Sequence, residues 1–301
     1  MLNLSGVVYV ILASLAFGIM PIWVKLAYGT GLSAYEVIFL RALLGSVFLY
    51  AFIRSKKVSI KLRPDQIKIL LFVGTIGYNA ALTTLYLAYN YISVGVATAL
   101  HYLFPVVVML IAAFLYKEKL YPAKWIALIL SVLGVYLISA VGPVSLHPLG
   151  VLLAIISAFT FAIYVTGVAY PAIKALDSLV LAFYVCVISS ATSLILILLR
   201  GEWPINLTWT GLYYVSLVAF FCTALALIFF IRGIHLVGPS TASILATLEP
   251  IVSIVAGIII FQEKLSLQVA LGCGLVLGAV VVLTLHDAKK PESTSEAKAA
   301  G

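Results

Sequence analysis

Ile92-Ser93-Val94-Gly95-Val96-Ala97-Thr98-Ala99-Leu100-His101-Tyr102-Leu103-Phe104-Pro105 runs on, almost uncharged, to Lys117-Glu118-Lys119-Leu120, and the text occurs twice. A second copy 145 positions downstream sets Ala242-Ser243 over Ala97-Thr98, Leu245 over Leu100 and Pro250 over Pro105. It also sets Glu263-Lys264-Leu265 over Glu118-Lys119-Leu120. Each copy is an apolar segment long enough to cross a bilayer, with a proline near its middle and a charged loop at its end. A duplicated membrane-length segment decides the fold class, and the rest of the chain is read outward from it.

The composition agrees. With 64% hydrophobic and 9% charged residues and a mean hydropathy of +1.22, the chain has too little polar surface to cover a core in water. The net charge of +8 does not point to nucleic acid, because the basic residues fall in short clusters between long uncharged runs. Cys186, Cys222 and Cys273 stand singly in apolar segments, with neither metal-ligand nor disulfide spacing, and read as small core residues. No cofactor or metal is expected. The start Met1-Leu2-Asn3-Leu4-Ser5 lacks the basic region of a secretory signal, so the first apolar run is kept as a mature helix.

Cutting at glycine, proline and charge clusters yields ten candidate spans: 6–27, 34–53, 67–89, 94–116, 122–140, 148–170, 178–199, 210–231, 239–261 and 266–286. The overlong run from Ile69 to Tyr116 is divided at Asn90-Tyr91-Ile92-Ser93, and that from Trp125 to Ile173 at Gly142-Pro143. The loops after spans 2, 4, 6 and 8, with the C-terminal tail, hold fourteen lysines and arginines; the other side holds Lys25, Arg200 and Lys264. This bias places both termini in the cytoplasm. Five spans per repeat is an odd number, so the second repeat enters the membrane from the opposite side, and Glu118 and Glu263 face opposite compartments. The expectation is an all-α integral membrane protein with ten transmembrane helices in two inverted five-helix repeats, residues 1–144 and 145–286, followed by a disordered cytoplasmic tail over 287–301.

The 5+5 repeat, the proline-centred fourth and ninth spans and the trailing Glu-Lys-Leu resemble the EamA-type families of the drug/metabolite transporter superfamily. The most specific piece is Leu248-Glu249-Pro250 followed thirteen positions later by Glu263-Lys264. The resemblance implies a secondary transporter, not an enzyme, of the bacterial or archaeal cytoplasmic (inner) membrane. It implies a small-molecule substrate among amino acids, other small metabolites or drugs, moved mostly outward without ATP. The chain departs from the family at Phe104, where many members carry Glu before the proline.

Polar residues inside spans mark the candidate path, since intramembrane polar groups line pathways or glue helices together. Thr75, Asn79, Thr83, Tyr86 and Asn90 fall within one narrow arc of the third span at about 100° per residue. Glu249 sits mid-span beside Pro250, as a proton-coupling group, a ligand for an ammonium or a cap on a broken helix. His101 lies one turn before Phe104, the repeat mate of Glu249, and reads as a coupling group or a packed neutral histidine. Tyr102 and Tyr164 are candidate pocket aromatics. Lys25 reads as a snorkelling residue; Arg41, which many family members carry, could bind a carboxylate bidentately, and reads first as the partner of a buried acid or of carbonyls.

The expected site is therefore Asn79, Thr83, Tyr86, His101, Tyr102, Tyr164 and Glu249, with Glu249 and His101 as candidate proton-coupling groups. The expected function is export of a small polar metabolite, amino acids favoured, by alternating access around a central cavity. The rival within transporters is an importer or exchanger of a nucleotide-like or cofactor-like solute, which would ask for more cavity cations than Arg41 and Lys25. An intramembrane enzyme would need a nucleophile with its base or paired metal ligands, and His101, His147, His235 and His286 are scattered.

Overall fold

The computed structural model describes residues 3–92, 94–139, 147–261 and 266–288, and among them every regular element is helical. Helix α1 spans Leu4–Tyr28, its first turn capped by the Asn3 side chain. Helix α2, Ala34–Lys56, opens on a reciprocal capping box between Ser33 and Glu36 and closes at Lys57 in the left-handed region. Helix α3 covers Pro64–Ala88, and α4 consists of two pieces, Val94–His101 and Phe104–Leu115. Then come α5 (Pro122–Ser139), α6 (Pro148–Gly167) and, after the single turn Pro171–Lys174, α7 (Ser178–Leu199). Helix α8 covers Trp209–Val237, α9 consists of Pro239–Leu245, a 3₁₀ turn Ala246–Leu248 and Glu249–Phe261, and α10 is Leu267–Ala288.

Eight of the described helices are long and apolar enough to cross a membrane, and two shorter apolar ones, Pro122–Ile138 and Leu267–Leu283, stand where the fifth and tenth spans were expected. Some boundaries differ. Helix α8 runs six residues past the expected end at 231, so Arg232 lies on the helix, its guanidinium 5.1 Å from the Tyr9 ring centroid, and not in a loop. Helix α10 continues to Ala288, past the expected end of the second repeat. Ser93, the division at Gly142-Pro143, the Glu263-Lys264 loop and the tail from 289 lie outside the described residues.

The helices pack mainly across the two repeats. α1 lies along α8, and α6 along α3; α2 crosses α7, α5 crosses α10, and α4 meets α9. α1 also touches α9, and α6 touches α4. Exchanging the halves turns α1 into α6 and α3 into α8, and this set of contacts maps onto itself, as a two-fold relation requires. At the α5–α10 crossing the backbones nearly touch: a Cβ on Gly134 would lie 2.7 Å from the Gly272 carbonyl oxygen, and one on Gly272 equally close to that of Gly134.

The outside of the bundle is apolar. Phe114, Leu199, Trp209 and Leu267 are each more than three-quarters exposed. In water such faces would drive association, whereas hydrocarbon accepts them without cost. Inside, the largest buried cluster draws on both repeats, from Val7 and Leu49 to Phe230 and Val276.

Candidate functional site

Both α4 and α9 break at the same offset. The prolines at 105 and 250 have no N–H to give, and their rings crowd the carbonyls at 101 and 246. Helix α4 therefore opens between His101 and Phe104, and α9 tightens into the 3₁₀ turn Ala246–Leu248. Glu249 begins the second piece of α9, where a carboxylate suits the positive end of the helix dipole, and it is half-buried. Tyr102 stands in the facing opening of α4, near this carboxylate. The two broken helices thus pack on each other, with Tyr102 at one break and Glu249 at the other.

Helix α1 packs directly on this junction. A Cβ at Gly18 would lie 2.5 Å from the Val252 Cβ and 2.8 Å from the Glu249 carbonyl oxygen, so glycine sets how closely α1 approaches. The Ser253 hydroxyl donates to the Gly18 carbonyl at 2.7 Å, one turn before Pro21.

His101 is packed on three sides, with ring centroids 5.8 Å from Tyr102, 5.5 Å from Phe104 and 5.2 Å from Phe161. Its Nδ1 lies 2.9 Å from the Ser157 hydroxyl, whose single hydrogen is directed at the Ala154 carbonyl 2.7 Å away. Ser157 can then only accept, which assigns a proton to Nδ1. Phe161 joins this group to Phe104 at 4.8 Å, Tyr164 at 5.6 Å and Phe230 at 6.4 Å. The aromatic layer fills the space between the halves next to the junction.

A second polar group lies beside it. Arg41 on α2 is 2% exposed, donating from Nη2 to the Tyr78 hydroxyl at 2.9 Å and from Nη1 to the Met20 sulfur at 2.9 Å. Tyr78 in turn packs on Tyr164, centroids 5.1 Å apart. Among the described residues the Tyr164 hydroxyl is buried without a hydrogen-bond partner, as are the Thr83 and Thr223 hydroxyls. Each such group costs about 1–3 kcal/mol in an apolar interior.

The candidate residues of α3 do not act as one stripe. Residues 73–79 form a π-helical segment, whose i→i+5 bonding changes the phase of everything beyond it. Asn79 is 1% exposed, and its Oδ1 accepts from the Ser189 and Ser193 hydroxyls of α7 at 2.8 and 2.9 Å. Thr83 and Tyr86 are half-buried, and Asn90 is exposed. Tyr78 and Tyr89, absent from the sequence reading, enter the site because of this shift; Tyr89 lies 5.8 Å from Tyr86, ring to ring. Thr75 is half-buried and Lys25 exposed. His101, Tyr102, Tyr164 and Glu249 converge around the α4–α9 junction.

At the end of the bundle that carries the basic loops lies a cavity of about 630 Å³ between the halves, lined by Tyr116, Glu118, Ala169, Lys174, Ile234 and Pro239 among others. Glu118 pairs with Lys124 and accepts from the Ser240 hydroxyl at 2.8 Å at the start of α9. The Tyr116 hydroxyl donates to the Thr166 carbonyl at 2.6 Å, and burial pushes this phenol up to about 12. Gln66 donates to the Ala172 carbonyl at 2.8 Å and Tyr184 to that of Ile60 at 2.7 Å. Four hydrogen bonds therefore tie the two halves at this end. Among the described residues no group of three or more His, Cys, Asp and Glu side chains is placed to hold a metal.

The sequence profile of the EamA-like transporter family matches this chain twice, over residues 4–140 and 148–285. The "Uncharacterized transporter YvbV" of Bacillus subtilis is 31% identical over 212 residues, 67% of each chain. An uncharacterized transporter of Clostridium kluyveri is 23% identical over 98% of this chain and 99% of its own. Among solved structures, a crystal structure titled only as that of a protein superposes with a TM-score of 0.82 at 18% identity, covering 95% of this chain and 99% of the other. That likeness shows the fold.

Proposed function

We propose, from the premise that this chain belongs to the EamA-like transporter family, that it exports small polar metabolites, amino acids foremost, from the cell by alternating access. The chain is an integral, multi-pass membrane protein with transporter relatives, and a small-molecule substrate follows. The finer reading assigns ten spans in two inverted repeats, 1–144 and 145–286, both termini in the cytoplasm and the protein in the inner membrane. The clustering of basic residues at one end of the bundle supports that orientation.

One observation carries the reading. A half-buried carboxylate, Glu249, stands where two broken helices from different repeats meet, near Tyr102 of the facing break. Broken helices facing each other near mid-membrane are where secondary transporters bind their solutes, because the freed backbone and the buried charge need a polar occupant. His101, Tyr102 and Tyr164 surround that point. In this reading Thr83 and Tyr86 of α3 complete the lining, and Asn79 steadies α3 against α7. The four hydrogen bonds at the basic end hold the cytoplasmic gate closed, and their release opens it.

Proton coupling runs through Glu249, which exchanges a proton as the solute arrives and leaves. The test is flux in proteoliposomes with and without a pH gradient. Glu249→Gln is expected to retain exchange of solute for solute and to lose acceleration by the gradient. Full gradient-driven transport by that variant would remove Glu249 as the coupling group.

A further inference from the structure

The connection between α2 and α3 carries more charge than membrane topology needs. Arg54, Lys56, Lys57, Lys61, Arg63 and Lys68 lie close together, with Asp65 as the only acid in that stretch. All six cations are exposed, and among the described residues only Arg63 of the six is ion-paired, to Asp65 at 3.1 Å. The matching connection of the second repeat, between α7 and α8, holds one cation and one acid, Arg200 and Glu202, which pair at 2.6 Å. Apolar side chains interleave with the charge. Ile60 and Ile67 are exposed between the lysines, and Tyr50 and Phe72, one turn into the apolar band from Arg54 and Lys68, are exposed too. The segment is also tied to the other half. Val58 and Leu62 pack on the core, and Tyr184 of α7 donates to the Ile60 carbonyl at 2.7 Å. Buried Gln66 accepts from the Arg63 N–H at 2.9 Å and donates to the Ala172 carbonyl at 2.8 Å. Ala172 belongs to the turn Pro171–Lys174, whose two end residues line the cavity at the basic end. Two of the four bonds between the halves at that end therefore start from the charged segment.

We propose that residues 54–68 form a headgroup site for anionic phospholipid, and that an occupied site holds the basic end of the bundle shut. The unpaired ammonium groups of Lys56, Lys57 and Lys61 take the lipid phosphate, each contributing about fivefold in affinity beside an anionic surface. Ile60 and Ile67 enter the acyl boundary, a contact that a soluble anion cannot use. Headgroups held by these lysines restrain the segment from which the Ile60 carbonyl and the Gln66 amide reach the second repeat. A ligand that fits this arrangement raises its population. The headgroup site stands on the membrane character of the chain alone, whereas its hold on the closed end rests on the alternating-access reading.

The test titrates the full-length protein in a neutral detergent with phosphatidylglycerol, phosphatidylcholine or glycerol phosphate and counts bound molecules by native mass spectrometry. The first phosphatidylglycerol is expected to bind about tenfold or more tighter than phosphatidylcholine, and glycerol phosphate not to compete at equal concentration. Lys56→Gln combined with Lys57→Gln and Lys61→Gln, all at exposed positions, is expected to remove that preference. Lys117→Gln with Lys119→Gln, also exposed, is expected to keep it. A chain with Cys273→Ala and Ala169→Cys then reports the cavity in vesicles of phosphatidylcholine with and without an equal part of phosphatidylglycerol. The anionic lipid is expected to slow modification by an uncharged, membrane-impermeant maleimide about threefold or more. The triple lysine variant is expected to erase the difference, which controls for surface potential. Equal binding of the two lipids, competition by glycerol phosphate as strong as by lipid, or the same loss in the Lys117–Lys119 variant overturns the site. A lipid preference without any change in modification rate overturns the hold on the closed end. Neither result touches the transporter reading, which fails only if no solute of any class exchanges.

Discussion

Replacing Ser240 with alanine isolates the bond that holds the basic end shut. Glu118 has two attachments: Lys124, within its own repeat and with a side chain 4% exposed, and Ser240, from the other repeat and 0% exposed. Among the described residues only the 2.8 Å bond from the Ser240 hydroxyl crosses between the halves at this carboxylate, so Ser240→Ala breaks that crossing and leaves the ion pair with Lys124 intact. A buried hydrogen bond to a charged group contributes about 1.5–3 kcal/mol. Withdrawn from the closed form alone, that amount raises the open population about 10- to 150-fold. Ala169 lines the cavity and is 9% exposed, which makes it the reporter. In a chain with Cys273→Ala, modification of Ala169→Cys by a membrane-impermeant maleimide from the basic side should accelerate by about tenfold or more when Ser240→Ala is added. Ser243→Ala is the control, because its hydroxyl donates to the Ser240 carbonyl within α9 and crosses nothing. An unchanged modification rate in Ser240→Ala, or an equal rise in Ser243→Ala, would refute the latch.

Gly18→Ala should overpack the α1–α9 contact, where its methyl would meet Val252 at 2.5 Å, lowering stability by about 1–3 kcal/mol in thermal unfolding and slowing exchange; a silent substitution would mean that the helices part freely. Asn79→Ala takes away the acceptor shared by Ser189 and Ser193 and should cost about 1–3 kcal/mol of stability with the half-saturating solute concentration unchanged; a shift in that concentration would return Asn79 to the solute's own contacts.

The elements were legible in the text because the signals that set them are local and strong. Apolar length fixed the helices, and prolines 105 and 250 fixed the breaks. Caps such as Asn3, Ser33, Asp177 and Thr208 stand where helices begin. The phase of α3 was not legible. A π segment needs no particular residue, only one extra residue accommodated in the turn, and it rotates Tyr78 and Tyr89 into the site while Asn79 turns to α7. Arg41 was visible as a charge, but its place against Tyr78 and Met20 depends on three helices meeting, which spacing along one helix cannot report. The one signal that could have found the π segment lies in the duplication: residues 73–79 and 218–225 both adopt it, at the repeat's own offset.

That repeated defect explains how the duplicated frame and the single site coexist. Both halves keep the π segment in their third helix and the break in their fourth, so backbone geometry is preserved under exchange of the repeats. The side chains at those places are not preserved. Glu249 answers to Phe104, Tyr102 to Thr247, Arg41 to Val185, Tyr78 to Thr223 and His101 to Ala246. A symmetric pair of carboxylates facing each other across the axis would repel, and a symmetric pair of guanidiniums likewise. With one acid and one base, each contributed by a different repeat, that repulsion is absent. The backbone breaks are shared between the halves, and the buried charges are not.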